Sequence, residues 1–286
     1  MFRLKTFKPS AAKFIALQDF AQIIQNGSID EIHAALTIVK TKFTGKAWAA
    51  NFAKLENVLN TLSPEYTIFA KGNSKLPFYS FSTLPAVTCA GAGACLDFCY
   101  SFRAWRYPAA FMRQAQNALM MRFNPSAIVS ELSAIDGDFE LRLYVDGDFS
   151  SVSDVSFWMQ TLHGLPKIKA YGYSKSFIQL LEHDIVVNGA WPANYVLNIS
   201  SGHNHNEAIV NMVKALPITR GEFIAVSIGK KVKGSDHGTV ETNRLLRVYS
   251  PTKIFPCPGT CGSCTGKGHA CGMPSLKGIT IAIAIH

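Results

Sequence analysis

Charge is scarce in this chain. Only 16% of its residues are Asp, Glu, Lys or Arg, while 48% are apolar. That balance excludes a chain kept unfolded by its own polarity. Long apolar runs are missing too. No stretch approaches the roughly 20 apolar residues that cross a bilayer, which excludes a helical membrane-spanning protein and predicts no membrane partner. The N-terminus, MFRLKTFKPSAAKFIALQDF, begins basic but has neither an uninterrupted apolar segment nor a small-residue cleavage site. It reads as mature protein of a reducing, cytoplasmic compartment. Repeats and low-complexity tracts are absent. Acid is the scarcer charge: 28 Lys and Arg against 19 Asp and Glu give +9, which favours anionic partners such as nucleic acid or nucleotides and says nothing about fold. A length of 286 residues suits one domain of about 200–250 residues with an appendage, or two smaller ones.

Cysteine is missing from most of the chain. All seven fall in two short stretches, Cys89, Cys95 and Cys99 in one, Cys257, Cys261, Cys264 and Cys271 in the other. Thiols used as small core fillers would be spread along many elements, and a reducing compartment does not favour disulfides. Clustering on Gly-rich loops points to metal ligation. Zinc prefers C-x₂₋₄-C pairs and four ligands, which Cys261 and Cys264 alone would suit. The full spacings, C-x₅-C-x₃-C and C-x₃-C-x₂-C-x₆-C, fit iron–sulfur clusters better, because the cluster's own atoms fill the space between unevenly spaced ligands. Pro258 after Cys257 agrees with that reading. Gly91, Gly93, Gly259, Gly262, Gly266, Gly268 and Gly272 thread the two loops and let backbone N–H groups approach sulfur.

Three plus four thiols can mean one 4Fe–4S cluster with an iron left open and a second that is closed; an open position marks a catalytic metal site. The competing partition draws on both loops for one cluster, and zinc staples remain the alternative. His269 reads as an exposed loop histidine rather than a ligand.

Apolar periodicity predicts helices over Ala11–Gln25, from a capping box at Ser28–Glu31 to Phe43, and over Lys46–Leu62. They read as a cap on the main body, with a helix-turn-helix as the lesser reading. Beyond residue 62 the texture is α/β. Strands are expected at Thr67–Ala70, Phe78–Phe81, Phe139–Val145, Ile168–Tyr173, Tyr195–Ser200, Phe223–Ile228, Leu245–Tyr249 and Ile279–Ile285. Helices are expected at Tyr107–Phe123, Val152–Leu162 and Asn206–Leu216. Such alternation predicts a largely parallel sheet, whose chemistry would sit beyond the C-terminal strand ends. Polar residues gather there: Asp146, Gly147 and Asp148; Ser174, Lys175 and Ser176; Ser200, Ser201, His203 and His205; Lys230 and Lys231. Asp146–Gly147 is also a hairpin signal, and His203 and His205 read as a solvent-exposed pair or a metal pair. Arg103, Arg106 and Arg113 interleave with Tyr100, Phe102, Trp105 and Tyr107, which suits either a nucleic-acid stacking groove or an amphipathic segment packed on the core.

Cys89-x₅-Cys95-x₃-Cys99-Tyr100, Leu141–Phe149, Trp158, Tyr171–Ser176, Asn198 with Ser200 and Ser201, and Cys257–Pro258 with Cys261 and Cys264, in this order, resemble the "gene product eighty-eight" family of bacteriophages and plasmids over about residues 75–272. That resemblance implies a mobile genetic element as context. More distantly, the layout is similar to radical S-adenosylmethionine enzymes, where a three-cysteine loop after the first strand holds an open cluster and a turn after the second strand contacts the cofactor's amino group. Here Gly147–Asp148 stands at that turn, while C-x₅-C-x₃-C departs from that superfamily's C-x₃-C-x₂-C.

The resulting expectation is an α/β protein with a TIM-like or partial (β/α) barrel body at residues 63–250, an N-terminal helical region at 1–62 and a cysteine-rich C-terminal segment at 251–286. Function is read as iron–sulfur cluster binding. As an enzyme it would use Asp148 and Lys175 as catalytic groups, with Gly147, Asp148, Ser174, Ser200 and His203 about a small-molecule cofactor such as S-adenosylmethionine. The alternative is a nucleic-acid-binding or regulatory protein with structural clusters or zinc.

Overall fold

The computed structural model describes residues 11–73, 76–230, 232–233, 236–250, 252–262, 264–265 and 268–285. The basic start at 1–10, Lys231 and Gly266 lie outside them.

Three helices open the chain: α1 (Ala11–Asn26), α2 (Ile29–Lys40) and α3 (Lys46–Thr61). The expected capping box forms at α2. Glu31 N–H donates to Ser28 Oγ at 3.3 Å, and the Glu31 carboxylate accepts from Ser28 N–H at 2.7 Å, satisfying two donors that a helix start leaves unpaired. These helices bury Phe14, Leu17, Phe20, Leu36 and Phe52 in one core with the rest of the protein. The apolar faces of α1 and α3 lie against α4 (Pro108–Phe123), while α2 packs on α1 and α3; the Arg122 guanidinium of α4 donates to the Ile24 carbonyl and, at 2.9 Å, to that of Gly27. The region is a cap on the body.

The body holds an eight-stranded sheet in the order β1-β2-β3-β4-β5-β6-β8-β7. Its strands are β1 (Ala70–Asn73), β2 (Leu76–Ser80), β3 (Phe139–Leu143), β4 (Ile168–Ser174), β5 (Tyr195–Ser200), β6 (Thr219–Val226), β7 (Ile254–Pro256) and β8 (Thr280–Ala284). β1 and β2 form an antiparallel hairpin and every other neighbouring pair is parallel. After α4 come α5 (Pro125–Ser133), α6 (Val152–Gly164), α7 (Phe177–Val187), α8 (Glu207–Ala215) and α9 (Val240–Tyr249).

Strand alternation sorts the two sheet faces. Leu141, Leu143, Ile168, Ala170, Leu197 and Ile199 pack with Trp158, Leu162, Leu180 and Val213 of the helices. The opposite residues, Tyr171, Tyr173, Val196, Phe223 and Ile281, pack instead with Cys257, Cys264, Ala270 and Cys271. Helices therefore cover one face, and the cysteine-rich crossover from β7 to β8 covers the other.

The α/β expectation holds; closure into a barrel does not. The sheet is open, with β1 and β7 at its edges. β7 is three residues long and ends in Pro256, which has no N–H to give a further strand. Two local expectations also differ. Leu245–Tyr249 is the last half of α9, started by the Thr239 hydroxyl accepting from Thr242 N–H. The Thr67–Ala70 run becomes strand only from Ala70, because the Ile68 and Phe69 N–H groups donate to the Glu131 carboxylate, both at 3.0 Å. Among the described residues no helix is long and apolar enough to cross a membrane.

Candidate metal centre

All seven cysteines line one cavity of about 330 Å³. Two elements of structure bring them there. The first loop, with short 3₁₀ turns at Ala94–Phe98 and Ser101–Arg106, lies against the segment that follows β5. Gly93 N–H and Cys95 N–H both donate to the Gly202 carbonyl, at 3.0 and 3.1 Å, and Asn204 N–H donates to Gly91 O at 3.1 Å. Gly91 is required here: a Cβ at that position would sit 1.6 Å from the Lys175 carbonyl oxygen.

The second loop is anchored to the inner sheet face by two buried side chains. Asn198 Nδ2 donates to the Cys271 carbonyl at 2.9 Å, and its Oδ1 accepts from Arg220 Nε at 2.6 Å. Arg220 Nη1 donates to the carbonyls of Leu276 and Ile279, at 3.1 and 2.8 Å.

The thiols form two electrostatic neighbourhoods. Burial pushes the Cys89 thiol well up, and nearby Asp148 adds to that shift. Burial raises Cys99 as well, partly offset by hydrogen bonds from Ser101. In the second group burial pushes Cys257 up to about 12 and Cys271 up to about 11. Donors already point at these sulfurs: Ala270 N–H to Cys264 Sγ at 3.3 Å, Gly259 N–H to Cys257 Sγ at 3.5 Å, and the Tyr173 hydroxyl to Cys271. Such donors stabilise sulfur carrying negative charge. Among the described residues, no three His, Cys, Asp or Glu side chains converge as one metal ion requires. Seven thiols with donors aimed at their sulfurs suit a thiolate-bound metal, cluster and zinc alike.

Strand ends β3, β4 and β5 supply the polar wall. Tyr144, at the end of β3, adopts a left-handed backbone with φ 51°, a conformation costing about 1–2 kcal/mol for a bulky residue. The Trp158 indole N–H holds its hydroxyl at 3.0 Å. Gly147 has φ 81°, and a Cβ there would lie 2.2 Å from Thr83 Oγ1, so it serves the turn as well as lining the cavity. Since β3 and β4 pair in parallel, Asp146–Gly147 is no hairpin. Asp148 is buried. Its carboxylate accepts from Ser174 Oγ–H at 2.8 Å, Lys175 N–H at 2.6 Å and Phe149 N–H at 2.8 Å. Burial raises its pKa, and the Lys175 and Ser174 donors oppose the rise.

Lys175 and Ser200 line the cavity together, with Lys175 Nζ donating to Ser200 Oγ at 2.6 Å. Ser174 stands behind Asp148. His203 stacks on His205 and lies tilted against Phe177, and burial lowers its pKa. His205 Nε2–H donates to the Lys175 carbonyl at 2.8 Å, so the His pair braces the loop.

Sequence reasoning left out Arg142 and gave no site role to Tyr173 or His269. Arg142 lines the cavity with its guanidinium over the Tyr173 ring at 4.8 Å. Tyr173 touches Cys271. His269 is buried, not exposed, with its ring 4.4 Å from that of Tyr171 and Nε2 3.2 Å from the Glu140 carboxylate. The signal was the alternation Glu140-Leu141-Arg142-Leu143, which places Glu140 and Arg142 on one face without telling whether water or protein covers it. In the Arg/aromatic segment, Phe102 and Trp105 are buried against Phe14 and Phe111, leaving Arg103, Arg106 and Tyr107 at the surface. Those two rings belong to the core, whereas Tyr107 stays exposed beside Arg106.

The family model described as "Gene product 88" matches residues 49–272, beginning inside α3 and ending just past Cys271. No curated protein and no solved structure matches the chain.

Proposed function

The chain belongs to the Gene product 88 family, and on that premise we propose that it is an iron–sulfur protein of a mobile genetic element, a phage or a plasmid. One observation carries the reading: two thiol groups far apart in sequence line a single cavity. In this proposal Cys89, Cys95 and Cys99 hold a 4Fe–4S cluster with one open iron, and Cys257, Cys261, Cys264 and Cys271 hold a closed one. A cluster so held supplies one-electron chemistry and, at its open iron, a place for a chelating molecule such as S-adenosylmethionine.

The chain's own groups prepare the site. Gly259, Ala270 and Tyr173 offer hydrogen bonds to the second set of sulfurs. Asp148 fixes the Lys175 peptide and Ser174, which aims the Lys175 ammonium along the cavity wall. With three hydrogen bonds already accepted, Asp148 acts here as a positioning residue rather than as the partner of a ligand's amino group.

The test is anaerobic purification and reconstitution, followed by iron, zinc and acid-labile sulfide analysis. Two clusters give about eight irons per chain, falling to about four when either cysteine group is replaced by serine. One shared cluster gives about four, lost with either replacement. A colourless protein without iron or sulfide, or one that takes zinc alone, overturns the proposal.

A further inference from the structure

Positive charge is concentrated toward the C-terminus. Residues 223–286 hold eight Lys and Arg against two Asp and Glu, which makes six of the nine net charges of the chain. One of the two acids, Glu241, is engaged: its carboxylate accepts from the Arg244 guanidinium at 3.1 and 3.3 Å. Arg247 and Lys253 are exposed, and among the described residues neither makes an ion pair. Both line a second cavity, of about 570 Å³, between α9, β7 and the Gly278–Ile279 segment that leads into β8. Among the described residues no carboxylate lines it.

The rest of the wall has two further characters. Ile254, Phe255 and Ile279 give it an apolar surface, with Ile279 left 38% exposed. Asn243 gives it an acceptor. The Asn243 Nδ2 donates to the Gly238 carbonyl at 3.2 Å, which only the NH₂ end of the amide can do, so Oδ1 is the atom left buried without a donor. A buried acceptor in that state is costly, and a ligand N–H relieves it. Cations for an oxyanion, an apolar surface for a flat ring and an acceptor for a ring amine come together in one ligand class. We propose that this cavity binds a nucleoside phosphate, its phosphate held by Arg247 and Lys253, its base against Ile254, Phe255 and Ile279 with the amino group toward Asn243 Oδ1. The Arg fork suits phosphate oxygens, an Asn amide pairs with the amino edge of adenine, and the volume lies within the ordinary range of ligand pockets. The site goes beyond the iron–sulfur reading and does not rest on it. Among the described residues Cys264 alone lines both cavities, and its sulfur already accepts from Ala270 N–H.

The test is calorimetric titration of the full chain at low salt with adenosine monophosphate, adenosine, ribose 5-phosphate and a single-stranded octa-adenylate. It is run on metal-free and on reconstituted protein, with the same expectation for each. Adenosine monophosphate is expected to bind saturably. Adenosine, for want of the phosphate, and ribose 5-phosphate, for want of the base, each bind at least about tenfold more weakly. Arg247→Gln and Lys253→Gln each weaken adenosine monophosphate by at least about fivefold. Both side chains are exposed, so Tm stays at the wild-type value. Asn243→Ala weakens adenosine monophosphate several-fold and leaves ribose 5-phosphate unchanged. Lys42→Gln, which removes an exposed cation of the cap, changes neither. Octa-adenylate affinity at least about tenfold above that of the mononucleotide, falling steeply with salt, assigns the phosphate to a nucleic-acid strand; comparable affinities assign it to a free nucleotide. Ribose 5-phosphate binding as tightly as adenosine monophosphate reduces the site to a bare anion patch and overturns the proposal. So does undiminished affinity for adenosine monophosphate and octa-adenylate in the Arg247→Gln and Lys253→Gln variants, or the absence of binding by both.

Discussion

Replacing Gly91 by alanine tests the contact that holds the first cysteine loop to the sheet. The new Cβ would fall 1.6 Å from the Lys175 carbonyl oxygen and 2.6 Å from His205 Nε2, about 1.8 Å inside ordinary contact with the carbonyl. Lys175 cannot retreat. Its N–H is held by Asp148 at 2.6 Å, and its carbonyl accepts from Phe177 N–H at 2.9 Å and His205 Nε2–H at 2.8 Å. The loop must therefore move outward and give up its backbone bonds to Gly202 and Asn204. Three such bonds at about 1 kcal/mol each make a loss of about 3 kcal/mol. For a chain of 286 residues that lowers Tm by about 5 °C. Moving Cys89 and Cys95 also removes about half the iron if each cysteine group holds its own cluster. Thermal melts and iron analysis on one preparation read both effects. Gly164→Ala, which meets nothing within 4 Å, is the matched control. A Gly91→Ala protein with wild-type Tm and wild-type iron would refute the close approach and the role given to the loop.

Arg220→Met strips the donors that tie Asn198, Leu276 and Ile279 together. Buried acceptors left unpaired make this at least about 3 kcal/mol destabilising in a denaturant titration, with the second cysteine group losing metal first. Ser28→Ala breaks the capping box far from the cavity and is expected to cost about 1 kcal/mol with iron content unchanged; a change in iron would couple the cap to the site. In metal-free protein the folded-state pKa of Cys257 is raised to about 12 and that of Cys271 to about 11, against about 8.5 for a free thiol. Groups raised in this way favour folding fully below their unfolded pKa, and that contribution is lost as pH climbs through their folded values. Unfolding titrations should show stability falling from about pH 8.5 upward; a flat profile to pH 11 would place these thiols in water. Metal binding must displace the same protons, so apparent metal affinity should rise with pH below that range.

The sequence by itself determined the local devices and the ligand inventory. Ser28 with Glu31 starts a helix wherever it stands, because both partners are within one turn. The alternation in Phe139–Leu143, Ile168–Ser174 and Tyr195–Ser200 set the strands, and seven thiols in two loops named the candidate chemistry. Leu245–Tyr249 misled because a five-residue segment with four apolar side chains around Arg247 fits a strand or a turn of short helix, and the deciding Thr239 cap lies six residues upstream. Only the tertiary structure decided that the two thiol groups share one cavity, because Asn198 and Arg220 reach across the sheet to fold the C-terminal loop over its inner face. It also decided that Arg142, Tyr173 and His269 stand beside sulfur rather than water. A strand's period fixes which residues share a face, whereas what lies opposite that face depends on a crossover formed more than a hundred residues later in the chain.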